Sequence, residues 1–139
     1  MNKVQSLWVK NLRTKTAYAA SNFTCLRDGR GDYSPFGLLC ELYRRYESEN
    51  HAWEWTGSGY VFGGETKFLP GIVQKWVGLM SPRGTFFDAW DRPFAIEGYS
   101  SLYNFFYPTG RGFFRTKVTF EQVANCIEDY PAFLFEKDE

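Results

Sequence analysis

The side chains that most often carry chemistry are few and scattered in this sequence. His51 is the single histidine, and the three cysteines, Cys25, Cys40 and Cys126, include no C-x-x-C pair. Neither residue type has the close ligand spacing of a zinc site. We expect His51 at the surface, and we expect Cys40 and Cys126 to act as small apolar residues on helix faces. This cysteine usage suits a reducing compartment.

Two pairs of acids lie close enough in sequence to suggest general acid–base work, namely Asp88 with Asp91 and Glu54 with Glu65. The chain contains 16 acidic residues, so pairs at such spacing arise readily and do not indicate catalysis. We therefore lean towards a non-enzymatic protein with no cofactor.

The loop Gly110-Arg111-Gly112 could cradle a phosphate, because glycine-rich loops expose backbone N–H groups. A phosphate loop opens a helix directly, whereas the next helix predicted here begins only at Thr119. We keep a small-ligand or nucleotide-binding protein, or an enzyme, using the Gly110–Gly112 loop as an alternative function.

The charges balance overall but not along the chain. Sixteen basic and 16 acidic residues give a net charge of zero, which argues against the basic footprint of a nucleic-acid binder. Residues 1–15 nevertheless carry only cations (Lys3, Lys10, Arg13 and Lys15), and the segment after Phe120 is acidic. Solvated faces explain both segments, and a patch for a partner is the alternative. Nucleic-acid binding through the basic N-terminus stays open, although nucleic acid is not the expected partner.

The elements that would position these residues follow from hydrophobic spacing. It predicts helices over residues 3–13, 36–49 and 69–80, and one from Thr119 that begins with a Thr119–Gln122 capping box. The 36–49 helix is apolar over more than half of its circumference. The remaining part of the circumference carries Glu41, Arg44 and Arg45. We expect this helix to be central, with neighbours on several sides. Aromatic runs at 53–55 and 60–62 around a Gly/Ser turn predict a hairpin.

These elements predict a single α+β domain over residues 1–139, with about four helices around the central helix and short antiparallel strands. Residues 85–115 form an aromatic-rich insert, for which we expect two or three short strands with turns. Aromatic residues make up 20% of the chain, which is a larger share than a single small core can easily bury. Because aromatic residues and arginine dominate interface energetics, we predict a protein-binding surface on this insert, formed by Trp90, Tyr99, Tyr103, Tyr107 and Arg111.

Several motifs recur in an order that is similar to one family of small proteins. They are Trp8 with Leu12-Arg13, the run Phe36-Gly37-Leu38-Leu39-Cys40-Glu41-Leu42, a Trp/Tyr-rich hairpin, Leu69-Pro70 with Val73, Trp76 and Gly78-Leu79, and finally Phe120, Val123-Ala124 and Ile127-Glu128. The pattern resembles a family of small uncharacterised bacteriophage and prophage proteins. The chain departs from it at Ser34-Pro35, which replaces adjacent cysteines, and at 85–115, where the insert is longer.

The resemblance implies a phage-encoded accessory protein that binds a host or anti-phage defence protein in the bacterial cytoplasm. It carries no catalytic residues that could be transferred. The residues agree with such a location, because Lys3, Trp8 and Lys10 interrupt the only candidate signal peptide. No apolar run approaches the roughly 18 residues of a membrane span. We therefore expect a soluble, intracellular protein that does not enter the membrane.

Overall fold

A computed structural model describes residues 1–14, 23–47, 50–107 and 118–137. Within these ranges the chain forms six helices and a two-stranded antiparallel sheet. In chain order they are α1 (Lys3–Arg13), α2 (Pro35–Tyr46), β1 (Glu54–Trp55), β2 (Tyr60–Val61), α3 (Gly71–Val77), α4 (Leu102–Phe106), α5 (Phe120–Asp129) and α6 (Pro131–Leu134). The predicted α+β class is confirmed. No helix in the described ranges is both long enough and apolar enough to cross a bilayer.

Side-chain caps fix where four helices begin, including α4, where the Asn104 N–H donates to Ser101 Oγ at 2.9 Å. Asn2 and Gln5 form a reciprocal capping box at the start of α1, with the Gln5 backbone N–H donating to Asn2 Oδ1 at 2.8 Å. Thr119 and Gln122 form the same arrangement at α5, which confirms the predicted capping box. Ser34 caps α2 through a 3.1 Å bond from the Gly37 N–H. Each cap satisfies backbone donors that a helix start leaves unpaired.

Helix α2 is the most deeply buried element, as its wide apolar arc predicts. All nine residues from Pro35 to Tyr43 are buried. Three details differ from the prediction. The helix ends at Tyr46, and Tyr46, which the sequence places on the apolar arc, is 63% exposed. Glu41, expected on the polar face, is only 3% exposed. The helix can lie so deep because Gly37 has no side chain: a Cβ there would stand 1.7 Å from the carbonyl oxygen of Leu26.

Helix α1 joins the other helices, because it contacts α2, α3 and α5. Trp8 is fully buried, and its indole Nε1 donates to the carbonyl of Pro35 at 3.0 Å. The buried Gln5 donates from Nε2 to the carbonyl of Val77 at 2.9 Å, at the last residue of α3. Gln5, on the buried face of α1, thus gives a hydrogen bond to a carbonyl that the end of α3 leaves without an intrahelical partner.

Two parts of the secondary-structure prediction are wrong. The helix expected over 69–80 is shorter: Pro70 is its N-cap, and Gly78, at φ +82°, ends it in the left-handed conformation. Helix α4 (Leu102–Phe106) was not expected at all, and the described part of the 85–115 insert contains isolated bridges instead of strands. These bridges are Thr85–Ser101, Phe87–Pro93 and Ile96–Tyr99.

Candidate protein-binding surface

The five residues predicted to bind a partner lie in different surroundings. Trp90 is 75% exposed, the highest value among the exposed large apolar residues of the described chain. Tyr99 is half-buried, and its ring packs edge-on against Phe105 at 5.2 Å between centroids. The rings of Tyr103 and Tyr107 contact each other at 5.1 Å between centroids. Arg111, like the whole Gly110–Gly112 loop, lies outside the described residues.

Tyr103 has a packing role on α4. Its ring meets Phe68 edge-on at 4.8 Å, Phe106 at 5.6 Å and Phe36 at 6.5 Å between centroids. Such pairs stabilise a core beyond simple area burial. Tyr103 therefore joins α4 to α2, and among the four predicted residues that the structure describes, Trp90 has the most surface left for a partner.

Trp90 stands at the tip of a tight turn, residues 87–93, which we name the Trp90 loop. The Asp88 carboxylate oxygen Oδ1 accepts from the backbone N–H of Trp90 at 2.8 Å and of Arg92 at 3.1 Å. The Asp88 N–H donates to the Arg92 carbonyl at 2.9 Å, and the Asp91 N–H donates to the Asp88 carbonyl at 3.0 Å. One side chain thus organises the turn from inside, as aspartate commonly does in turns.

Electrostatics reinforce this turn. The backbone N–H of Arg92, then that of Trp90, and the Arg92 charge hold the pKa of Asp88 below its usual value. The Arg92 guanidinium also lies 5.3 Å from the Trp90 ring centroid, within cation–π range. Asp88 therefore stays a carboxylate at neutral pH and keeps the turn closed.

The base of the Trp90 loop is anchored on α6. The Phe87 N–H donates to the Phe133 carbonyl at 2.9 Å. The ring of Phe94, just beyond the loop, packs edge-on against the Phe133 ring at 5.1 Å. The loop is therefore held at both ends, which limits the conformational entropy that Trp90 would lose on binding.

An open groove of about 660 Å³ borders the Trp90 loop. Its walls include Met80, Phe87 and Phe135, and acidic residues of the loop and of the chain after α6 lie along its edge. The charged residues at the groove are Asp88, Asp91, Glu136 and Lys137. An exposed indole beside an apolar groove with a mainly acidic edge is suited to contact a surface that is apolar with a basic rim.

The same turn also occurs at residues 28–32. Asp28 Oδ1 accepts from the N–H groups of Arg30 at 2.9 Å and Asp32 at 3.0 Å. Gly31 takes the left-handed position, with φ +86°, which Asp91 takes in the Trp90 loop with φ +57°. The composition of residues 28–32 (Asp-Gly-Arg-Gly-Asp) predicts the turn found there. An aspartate followed three residues later by glycine or aspartate is the sequence pattern that could have located the Trp90 loop as well.

Glu41 is a buried carboxylate that sequence reasoning placed on the outside. Arg44 donates to both of its oxygens, Tyr33 Oη donates at 3.3 Å and Trp53 Nε1 at 3.4 Å, and Arg45 Nε lies 3.6 Å away. Burial acts to raise the pKa of Glu41, but the bonds and charges of the arginines outweigh it, so the pKa is lowered. With its oxygens so engaged, Glu41 stabilises the structure.

Packing roles are also found for Cys40, Cys126 and His51. Cys25, Cys40 and Cys126 are free thiols, and Cys40 is fully buried, as expected. His51, expected at the surface, is half-buried and packs on Tyr43 at 5.5 Å between centroids. No group of three or more metal-binding side chains occurs in the described parts of the chain.

The basic N-terminal segment faces the acidic helix α5. Arg13 donates from Nη2 to Glu128 at 2.8 Å, and its Nη1 lies 3.7 Å from Glu121. The uneven charges noted in the sequence are therefore partly neutralised within the fold, which leaves Lys3 and Lys10 as exposed cations of this helix.

The fold and the Trp90 loop together define a small α+β protein that presents the Trp90 indole on a turn closed by hydrogen bonds. The chain belongs to the family described as a domain of unknown function (DUF8296), which it matches over residues 1–131. The matched range includes the Trp90 loop and all of α5. No curated protein and no solved structure matches the chain.

Proposed function

We propose that this protein is a phage-encoded, non-enzymatic accessory protein that uses the Trp90 loop to bind a host or defence protein in the bacterial cytoplasm. One observation carries the binding role: Trp90 is 75% exposed at the tip of a turn that Asp88 organises. The resemblance to phage and prophage proteins supports the choice of a host or defence protein.

The chemistry of the loop indicates what the partner must offer. An indole that leaves water on binding needs an apolar pocket of its own size, and such tryptophans often dominate an interface. Asp91 and Glu136 border the groove beside the loop, so the partner surface should carry basic groups around that pocket. The anchored loop keeps the ordering cost of binding small.

The test compares two exposed tryptophans. Tagged wild-type protein captures its partner from host lysate treated with nuclease, and the purified partner is then titrated calorimetrically against the wild type, Trp90→Ala and Trp55→Ala. Trp55 is the matched control, because it is 55% exposed but lies on β1 and packs on Tyr60. We expect Trp90→Ala to weaken binding by about 2 kcal/mol, roughly 30-fold. We expect Trp55→Ala to change the affinity less than about threefold.

A second variant tests the charge of the loop. Asp91→Asn removes one negative charge and suits the left-handed backbone at this position, because asparagine tolerates it. We expect slower association and a weaker dependence of association on salt, with little change in dissociation. The proposal is wrong if Trp90→Ala binds like the wild type, if both tryptophan variants weaken binding equally, or if no protein is captured.

A further inference from the structure

A second concave site lies on another side of the same segment of chain. A cleft of about 200 Å³ opens between α5 and the chain around residues 96–105, and we name it the aromatic cleft. Its lining includes four rings and two carboxylates: Phe86, Tyr99, Phe105, Tyr130, Glu97 and Asp129. Phe86 lines this cleft while the next residue, Phe87, lines the groove beside the Trp90 loop. The two sites are therefore distinct.

The two carboxylates act on the same atoms inside the cleft. Burial, and then the charges of Asp129 and Glu97, raise the pKa of the Cys126 thiol to about 12. The Glu97 charge, and to a smaller extent Asp129, raises the pKa of the Tyr130 hydroxyl. Both groups are consequently neutral at pH 7. Neither carboxylate belongs to an ion pair with a described lysine or arginine, so the described lining of the cleft carries a net negative charge.

Both acids occupy positions that local backbone physics disfavours. Glu97 has φ +52° and precedes Gly98, with φ +86°, in a two-residue turn closed by the Ile96–Tyr99 bridge. Asparagine and glycine are preferred where such a turn needs positive φ. Asp129 is the last residue of α5, where the negative end of the helix dipole disfavours a carboxylate. The stability of the turn therefore does not explain a glutamate at position 97, and the stability of α5 does not explain an aspartate at position 129.

We propose that the aromatic cleft binds a methylated ammonium group. The faces of aromatic rings attract a cation through their quadrupole, and they suit an alkylated ammonium because it is weakly hydrated. Glu97 and Asp129 supply the opposite charge at the same place. The neutral amides of Gln122 and Asn125 also line the cleft. A bare metal ion prefers a shell of oxygen ligands, whereas no group of three or more metal-binding side chains occurs in the described parts of the chain.

The test is a titration followed by the backbone amide signals in NMR. Choline is the probe, and 3,3-dimethylbutan-1-ol, its uncharged isostere, is the control ligand. We expect choline to shift the amide signals of Glu97, Tyr99 and Cys126 in the millimolar range, and the alcohol to leave them unchanged. The double variant Glu97→Gln, Asp129→Asn should bind choline about tenfold more weakly.

A control variant and a stability measurement separate binding from folding. Glu121→Gln removes one charge from the same helix α5 without touching the cleft, so it should leave the choline affinity unchanged. Glu97→Asn should raise the melting temperature while it weakens choline binding, whereas a merely structural Glu97 would lower the melting temperature when replaced. Trp90→Ala should leave choline binding unaffected, which keeps this site separate from the proposed function.

The ammonium group could belong to a free amine or to a lysine side chain of a protein, and the probes distinguish the two. Tighter binding of an Nα-acetyl, Nε-trimethyl-lysine amide than of choline would assign the cleft to a lysine side chain, and weaker binding would assign it to a free amine. The proposal is overturned if the alcohol binds as tightly as choline, if the double variant keeps wild-type affinity, or if millimolar choline shifts no cleft signal.

Discussion

Gly37→Ala changes one hydrogen for one methyl group at the place where α2 crosses the chain at Leu26. The added Cβ would lie 1.7 Å from the Leu26 carbonyl oxygen and 2.6 Å from its carbonyl carbon, whereas ordinary contact begins at 3.4 Å. The helix would have to move away from Leu26 by a further 1.7 Å or so for the added Cβ to reach ordinary contact distance. That shift would disturb nine buried residues of α2 and the 3.0 Å bond from the Ser34 N–H to the same oxygen.

The expected cost of Gly37→Ala follows from these distances. Overpacking a core costs about 1–3 kcal/mol when side chains can adjust, but here the obstructing atom is backbone. Alanine recovers up to about 1 kcal/mol of helix propensity. We therefore expect the free energy of unfolding to fall by about 3 kcal/mol, a large part of the roughly 5–15 kcal/mol of a typical domain.

Urea unfolding followed by tryptophan fluorescence measures this change. Gly71→Ala is the matched control, because it makes the same substitution at the first residue of α3, where an added Cβ meets nothing within 4 Å. We expect the control to be neutral or to stabilise the protein by up to about 1 kcal/mol. If Gly37→Ala unfolds within about 1 kcal/mol of the control, the close crossing of α2 and Leu26 is not as described.

Three further perturbations test the buried carboxylate, a helix cap and a thiol. The pKa of Glu41 lies below its usual value of 4.5, so its contribution is complete above that pH and is lost as the pH falls through the lowered value. Glu41→Gln should therefore lower the free energy of unfolding by about 2 kcal/mol at pH 7. In urea unfolding it should also reduce the loss of stability at acid pH, and an unchanged pH dependence would contradict this. Thr119→Ala removes one half of the capping box with Gln122 and should lower the free energy of unfolding by about 1 kcal/mol, whereas an unchanged value would show that the cap contributes nothing. Burial, with the nearby acids, raises the pKa of Cys126 to about 12, so iodoacetamide should alkylate it far more slowly at pH 8 than a small free thiol, and equal rates in mass spectrometry would refute the raised pKa.

The sequence predicted the elements whose causes are local. Helices α1 and α5 were placed correctly because each shows an apolar stripe at helical spacing, and the capping box of α5 was also recognised from its sequence. The burial of α2 followed from an apolar arc wider than one contact face. These features depend on residues three or four positions apart, which a sequence displays directly.

The features that the sequence did not predict depend on distant partners. Helix α4 has five residues, too few for a helical period to stand out among neighbouring aromatics. Glu41 looked like a surface residue because its partners Tyr33 and Trp53 come from outside the helix. The aromatic cleft joins Phe86 to Tyr130, and no spacing rule connects residues so far apart. Trp90 was predicted to bind a partner, but its turn was not predicted, although Asp88 followed three residues later by Asp91 is a pattern that the sequence displays.

The Trp90 loop separates the residues that build the turn from those at its tip. The turn is closed by the Asp88 carboxylate and by backbone groups of residues 88–92, so the side chains at 89 and 90 contribute no hydrogen bond to it. Evolution can therefore exchange these two positions without altering the scaffold, and recognition can diverge while the architecture persists. For the same reason the loop could present different dipeptides at positions 89 and 90 on an unchanged turn.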